Sequence, residues 1–164
     1  MRRFIALFLV ALLASCSQQP SPSYEDMITF FVKNAQSFDE LRQYYCEVAD
    51  ERGLSRYAIN DEYNKSAPRI GELDSLIEKV NGRVVHYDKA NNGECILGIE
   101  IYRKRIVNAG FEYYYSYNLQ EPDLYDENKH SKEKIAESRD DAHFDMLLSY
   151  DKSGKAWYFT HTSY

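Results

Sequence analysis

The hydrophobic pattern of this chain changes its period at Arg83, and this change constrains the fold more than any other feature. Before Arg83, apolar residues recur at the spacing of amphipathic helices. After it, apolar and polar residues alternate as in half-buried strands. Because a run of helices precedes a run of strands, we predict an α+β domain with two layers.

About three helices are predicted in the first half. Residues 24–52 contain two consecutive helices or one bent helix, with capping boxes that begin at Ser23 and Ser37. Gly53 is a typical C-terminal stop, and a further helix covers residues 70–80. We expect these helices to pack on one face of a curled antiparallel meander of four to five strands.

The strand over residues 111–118 carries alternate aromatic residues. Tyr113, Tyr115 and Tyr117 share one face, which is either core or a binding surface, and we favour core. In that case Tyr102 and Tyr114 are the exposed tyrosines. The order of elements is similar to that of NTF2-like domains, a resemblance that implies a cone-shaped fold.

Residues 119–142 form a polar insertion, which at this length is either a functional loop or a poorly ordered one. A mobile acidic loop with one aromatic residue can capture a basic protein by electrostatic steering and a single anchor. A solvated surface loop without a partner is the alternative. The candidate partner-binding residues are Tyr114, Glu121, Asp123, Tyr125, Asp126 and Glu127.

The N-terminus has the pattern of an export signal. Arg2 and Arg3 precede an uncharged apolar run over residues 4–14, which is too short to span a bilayer as a helix. Residues 13–16, Leu-Ala-Ser-Cys, resemble the lipobox of bacterial lipoproteins. We therefore expect residues 1–15 to be a lipoprotein signal peptide.

The resemblance implies that Cys16 becomes the first residue of the mature protein and is acylated, which anchors it to a lipid bilayer. Residues 16–23 then form a polar tether, and residues 24–164 form a single domain. In this class, a residue other than Asp after the cysteine directs the protein to the outer membrane. Ser17 occupies that position, so we expect a lipid-anchored envelope protein that faces the periplasm.

The charge of the chain excludes one class of partner. It has 20 basic and 26 acidic residues, a net charge of −6, and loss of Arg2 and Arg3 with the signal leaves 18 basic residues and a charge of −8. Nucleic-acid binding requires clustered cations, so we expect no nucleic-acid partner. A basic protein partner remains open.

Acylation of Cys16 would leave two further cysteines. Cys46 and Cys95 are then the two cysteines that remain. An even number of cysteines in an oxidising compartment favours a disulfide between them. Two buried free thiols are the alternative.

Motifs for catalysis are weak. The sequence has no nucleophile elbow, phosphate loop or dinucleotide fingerprint, and its histidines lack zinc-site spacing. His143 and Asp145 share a strand face and His161 lies on the next strand, the one arrangement that suggests acid–base or metal chemistry. We expect no cofactor, and enzyme is the weaker class.

The first hypothesis is therefore a membrane-anchored, non-catalytic binding protein, such as an inhibitor or immunity factor for another protein. The alternative is a structural or assembly lipoprotein, or a carrier of a small apolar ligand with an NTF2-like shape.

Overall fold

The computed structural model describes residues 21–59, 69–106, 109–130 and 142–164. The predicted signal peptide, Cys16 and most of the predicted tether lie outside these ranges. The described ranges contain four helices, α1 (Tyr24–Lys33), α2 (Ala35–Arg52), α3 (Gly71–Lys79) and α4 (Glu127–His130). They also contain six strands, β1 (Arg56–Ala58), β2 (Val84–Lys89), β3 (Cys95–Ile106), β4 (Ala109–Tyr117), β5 (His143–Tyr150) and β6 (Ala156–Ser163).

The strands form one antiparallel sheet in the order β1-β2-β3-β4-β6-β5. This arrangement confirms the α+β class with its helices at the N-terminal end. The first four strands follow a meander, and the sheet has six strands rather than four or five. The last two strands lie in the sheet in the reverse of their sequence order. After β4 the chain crosses to the far edge and forms β5 there, and it then returns as β6 between β5 and β4.

The first helix begins where the sequence predicts. The Ser23 hydroxyl accepts a hydrogen bond from the Asp26 amide at 3.1 Å, and the Asp26 carboxylate accepts one from the Ser23 amide at 3.2 Å, which confirms the capping box. Gly53 ends α2 at φ 63°, a left-handed conformation that glycine adopts without strain.

The second capping box, predicted at Ser37, is wrong. Asn34 is the N-cap of α2, so Ser37 lies inside the helix. The Asn34 amide and side chain donate to the Phe30 carbonyl at 3.1 and 2.8 Å, while the Asn34 carbonyl accepts from Ser37 and Phe38. Because one residue both ends α1 and starts α2, the bend needs no separate cap.

Aromatic side chains fill the layer between the helices and the sheet. Phe31 and Phe38 contact each other at 4.8 Å between ring centroids, and Phe38 contacts Tyr115 at 4.6 Å. Tyr113, Tyr115 and Tyr117 are all buried, which confirms their assignment to the core. Fully burying one such ring contributes roughly 2 kcal/mol, and Tyr115 also donates its hydroxyl to the Met27 carbonyl at 2.7 Å.

A β-bulge in β3 changes which side chains face the helices. The register with β4 shifts between Glu100 and Tyr102, so Tyr102 pairs with Tyr113 on the helix side. Tyr102 is thus half-buried rather than exposed, because the extra residue reverses the alternation beyond it. The same shift places Arg103 on the side that carries Glu100.

A disulfide joins Cys46 of α2 to Cys95 at the start of β3, with 5.9 Å between the Cα atoms. It links the helix layer covalently to the sheet across a sequence separation of 49 residues. Among the described helices, none is long and apolar enough to cross a membrane.

Candidate functional site: the outer face of the sheet

The sheet has an inner face, which packs on α1–α3, and an opposite outer face. Strand alternation and the register place Glu112, Tyr114 and Ser116 of β4 on the outer face, with Thr160 of β6 and Asp145 of β5 beside them. This face carries most of the buried polar side chains of the sheet.

The free edge of β5 is covered by the residues that follow β4. Leu124 forms a parallel bridge with Asp145. The Asp145 amide donates to the Asp123 carbonyl at 2.7 Å, and the Tyr125 amide donates to the Asp145 carbonyl at 3.0 Å. The acidic part of the predicted insertion is therefore held as a short additional strand, which also protects the sheet edge.

The Asp145 side chain fastens this segment to the sheet. It is buried and accepts hydrogen bonds from the Thr160 hydroxyl at 2.6 Å and the Asp123 amide at 3.0 Å. His143 Nε2 lies 3.2 Å from the same carboxylate. Hydrogen bonds to a buried carboxylate are among the stronger ones in proteins, so residues 123–125 have a defined position.

Three large apolar side chains are exposed on the outer face, one on this segment and two on β5. Leu124 is 57% exposed, Leu147 44% and Tyr150 65%. Leu124 lies on the same side of the sheet as its bridge partner Asp145. Leu147 is two residues after Asp145 on β5, so its side chain points to that side as well. On β6, the partner of Leu147 is Tyr158 and the partner of Tyr150 is Ala156. These two partners are two positions apart, so Leu147 and Tyr150 lie on the same face. We call Leu124, Leu147 and Tyr150 the outer patch.

Acidic residues flank Leu124 along the chain. Glu121, Asp123 and Glu127 are exposed on the segment that carries Leu124. Asp126 is half-buried, and its carboxylate accepts a hydrogen bond from the Asn128 amide at 2.8 Å, which lowers its pKa. The segment thus combines an exposed apolar residue with exposed acidic residues, and we call Glu121, Asp123 and Glu127 the acidic rim.

Two candidate tyrosines have other surroundings. Tyr125 is half-buried, with its ring against Phe144 and His130 at 5.2 and 5.8 Å, so the apolar group that this segment exposes is Leu124. Tyr114 is half-buried rather than exposed as predicted, because it lies two strands in from β5 and its hydroxyl donates to Glu112. Burial and the Glu112 carboxylate raise the pKa of Tyr114 to about 12.

Tyr114 belongs to an ion cluster built on the β3 bulge. The Arg103 guanidinium lies 2.7 Å from both the Glu100 and the Glu112 carboxylates. Burial raises the pKa of Glu100, whereas hydrogen bonds from Tyr114, Tyr164 and Arg103 outweigh burial and lower that of Glu112. Because both carboxylates bind one guanidinium, a proton transfer by either would break an ion pair. We interpret the cluster as structural.

The suggested arrangement of His143, Asp145 and His161 is not formed. His143 and Asp145 lie on the outer face, but His161 pairs with Phe144 and lies on the inner face, stacked on that ring at 5.0 Å. Acid–base partners must reach one reacting atom, which opposite faces of a sheet prevent. Within the described ranges, no group of three His, Cys, Asp or Glu side chains is placed to hold a metal ion.

The exposed apolar residues were not among the sequence candidates. Leu147 follows His143 and Asp145 on the polar face of its strand, and an apolar residue in that series is a usable signal. Leu124 offers no such signal, because its position depends on the bridge to Asp145.

The fold and the outer face define the chain as a two-layer α+β protein with an open antiparallel sheet. No family model, curated protein or solved structure matches the chain.

Proposed function

We propose that this chain is a lipid-anchored envelope protein that binds a basic protein partner through the outer patch and its acidic rim. The exposure of Leu124, Leu147 and Tyr150 together on one sheet face carries this proposal. Exposed apolar side chains on one face, with charged residues nearby, are typical of protein interaction sites. A few such residues dominate the binding energy of most interfaces.

The acidic rim supports the choice of a basic partner. Glu121, Asp123 and Glu127 are exposed within three residues of Leu124 along the chain, and the chain as a whole carries a charge of −6. Complementary charge increases the association rate and disfavours acidic partners. The hydrogen bonds of Asp145 hold the rim in place, so little ordering is required when a partner binds.

Anchorage follows from the N-terminal sequence. Acylation at Cys16 would attach the domain to the outer membrane, with residues 17–23 as a spacer on the periplasmic side. Conversion of Cys16→Ser should move the protein from the membrane fraction to the soluble fraction and remove the acyl mass from its N-terminal peptide. A membrane fraction that is unchanged by this variant would disprove the anchor.

The binding proposal is tested by affinity capture from solubilised envelopes with three variants. Leu147→Asp places a charge in the centre of the patch, and we expect at least about a 30-fold loss of affinity. Asp123→Lys reverses a rim charge and should weaken capture severalfold, mostly at low salt. Val32→Asp is the control, since Val32 is also an exposed apolar residue, at 66% against 44% for Leu147, but lies on α1.

The captured protein is then identified by mass spectrometry and its charge calculated. A basic protein that is retained by Val32→Asp and lost with Leu147→Asp supports the proposal. Equal capture by both variants, or a captured protein that is acidic, contradicts it.

A further inference from the structure

An apolar cleft opens on the inner face, on the opposite side of the sheet from the outer patch. It lies between α1 and the bulged part of β3 and has a volume of about 580 Å³. Met27 and Phe30 of α1 line one side, and Ile101 and Tyr102 of the bulge line the other. The volume falls within the range of small-molecule sites, which are mostly apolar with few polar groups.

The cleft is a consequence of the β3 bulge. The bulge adds Ile101 to the strand and turns Tyr102 toward the helix layer, so both residues line one space. Tyr115 holds the helix at a fixed distance from the sheet, because its hydroxyl donates to the Met27 carbonyl at 2.7 Å. This buried hydrogen bond joins α1 to β4, the strand next to β3, and so holds α1 in place beside the cleft.

Among the described residues that line the cleft, Asp26 is the one charged group. Its carboxylate accepts hydrogen bonds from the Ser23 hydroxyl at 2.6 Å and the Ser23 amide at 3.2 Å, and these bonds lower its pKa. Asp26 is therefore ionised at neutral pH. With the adjacent Glu25 it outweighs the partial positive charge of about half a unit at the helix N-terminus.

The aromatic rings of the cleft, like the Asp26 carboxylate, favour a positively charged ligand. Phe30 and Tyr102 line the cleft, and the faces of aromatic rings attract cations. A carboxylate and two rings around an apolar space select a molecule that has both an apolar body and a positive charge.

We propose that this cleft binds an amphipathic organic cation, a molecule with an apolar body and an ammonium group. The body contacts Met27, Phe30 and Ile101, and the ammonium group lies at Asp26. This site shares no residue with the outer patch, so it is independent of the proposed protein partner.

Calorimetric titration with octylammonium, octanol and octanoate tests the proposal, each below its micellar concentration. The full chain carries Cys16→Ser, so that no detergent competes for the cleft. We expect octylammonium to bind about fivefold more tightly than octanol, and octanoate to bind most weakly. Asp26→Asn keeps an oxygen for the helix cap and should remove the preference for the cation. Glu47→Gln, at an exposed acid on α2, should leave it unchanged.

Ile101→Trp fills the cleft and should abolish binding of octylammonium and octanol, with the near-ultraviolet circular dichroism spectrum as the check on folding. If that variant does not fold, amide chemical shifts of the unfilled protein locate the probe, and changes at Phe30 and Ile101 are expected. Equal affinity for octylammonium and octanol overturns the proposal. Shift changes confined to other residues, or no binding of any probe, overturn it as well.

Discussion

The side chain of Asp145, buried under the residues that follow β4, holds Asp123 and Thr160 by hydrogen bonds. Asp145→Ala would remove the acceptor of the Asp123 amide and of the buried Thr160 hydroxyl, and we expect a loss of about 3 kcal/mol in the free energy of unfolding. Faster amide exchange at Asp123 and Tyr125 should accompany it, because the edge segment is released. Denaturant unfolding and hydrogen exchange measure the two effects.

Asp145→Asn is the matched control for this prediction. It retains one oxygen as an acceptor, so it should cost less stability than Asp145→Ala. A loss below 1 kcal/mol for the alanine variant, with unchanged exchange at Asp123, would refute the role assigned to Asp145.

His161 gives the folded protein a pH dependence. It is buried on the inner face, its Nδ1 lies 3.3 Å from the Tyr24 hydroxyl, and His130 and His143 lie nearby. Burial, with a smaller contribution from these two histidines, lowers its pKa from 6.5 to about 4. The unfolded chain therefore binds more protons between pH 6.5 and pH 4. Stability is highest above pH 6.5 and falls as the pH decreases toward 4.

A decrease from pH 7 to pH 5 should lower the free energy of unfolding by about 2 kcal/mol, because His161 takes up a proton more readily in the unfolded chain. His161→Phe should remove most of that dependence, because it keeps the ring in the core without the titrating group. His143→Gln, at an exposed histidine, should retain it. Denaturant unfolding at both pH values measures the difference, and an unchanged pH dependence in His161→Phe would show that another group is responsible.

At the scale of elements, the disulfide fixes α2 to the start of β3. Cys46→Ala with Cys95→Ala removes a cross-link with a sequence separation of 49 residues, and the loop-entropy model gives a loss of about 4 kcal/mol. Unfolding with and without a reducing agent measures it. The reductant should destabilise the parent chain and leave the double variant unaffected. A parent chain that is insensitive to complete reduction would contradict this prediction.

The elements differ in how far their sequences predict them. Ser23 and Gly53 mark helix ends by local chemistry, and both were correctly predicted. The bulge in β3 was missed, because Ile99 and Ile101 continue the alternation without a break. Only the pairing with β4 shows that Tyr102 and Arg103 change faces, and both the cleft and the ion cluster depend on this change.

At the scale of the whole molecule, the sequence predicts the class and the helix layer but not the strand order. Residues 119–130 carry the chain from β4 to the far edge, and their path depends on contacts of Asp123 and Leu124 with Asp145. Such contacts join residues about 20 positions apart and leave no local pattern. The exposure of the outer patch has the same origin, since alternation assigns Leu147 to a face but does not say what covers it.

The central claim is that the outer patch binds a basic protein while the chain is anchored in the envelope. Its most direct test is site-specific photo-crosslinking in intact cells, with a photoreactive residue at position 147 or, as control, at position 32. We predict a defined adduct with one basic protein from position 147, lost with Asp123→Lys, and no such adduct from position 32. Absence of an adduct at position 147, or the same adduct from both positions, would contradict the claim.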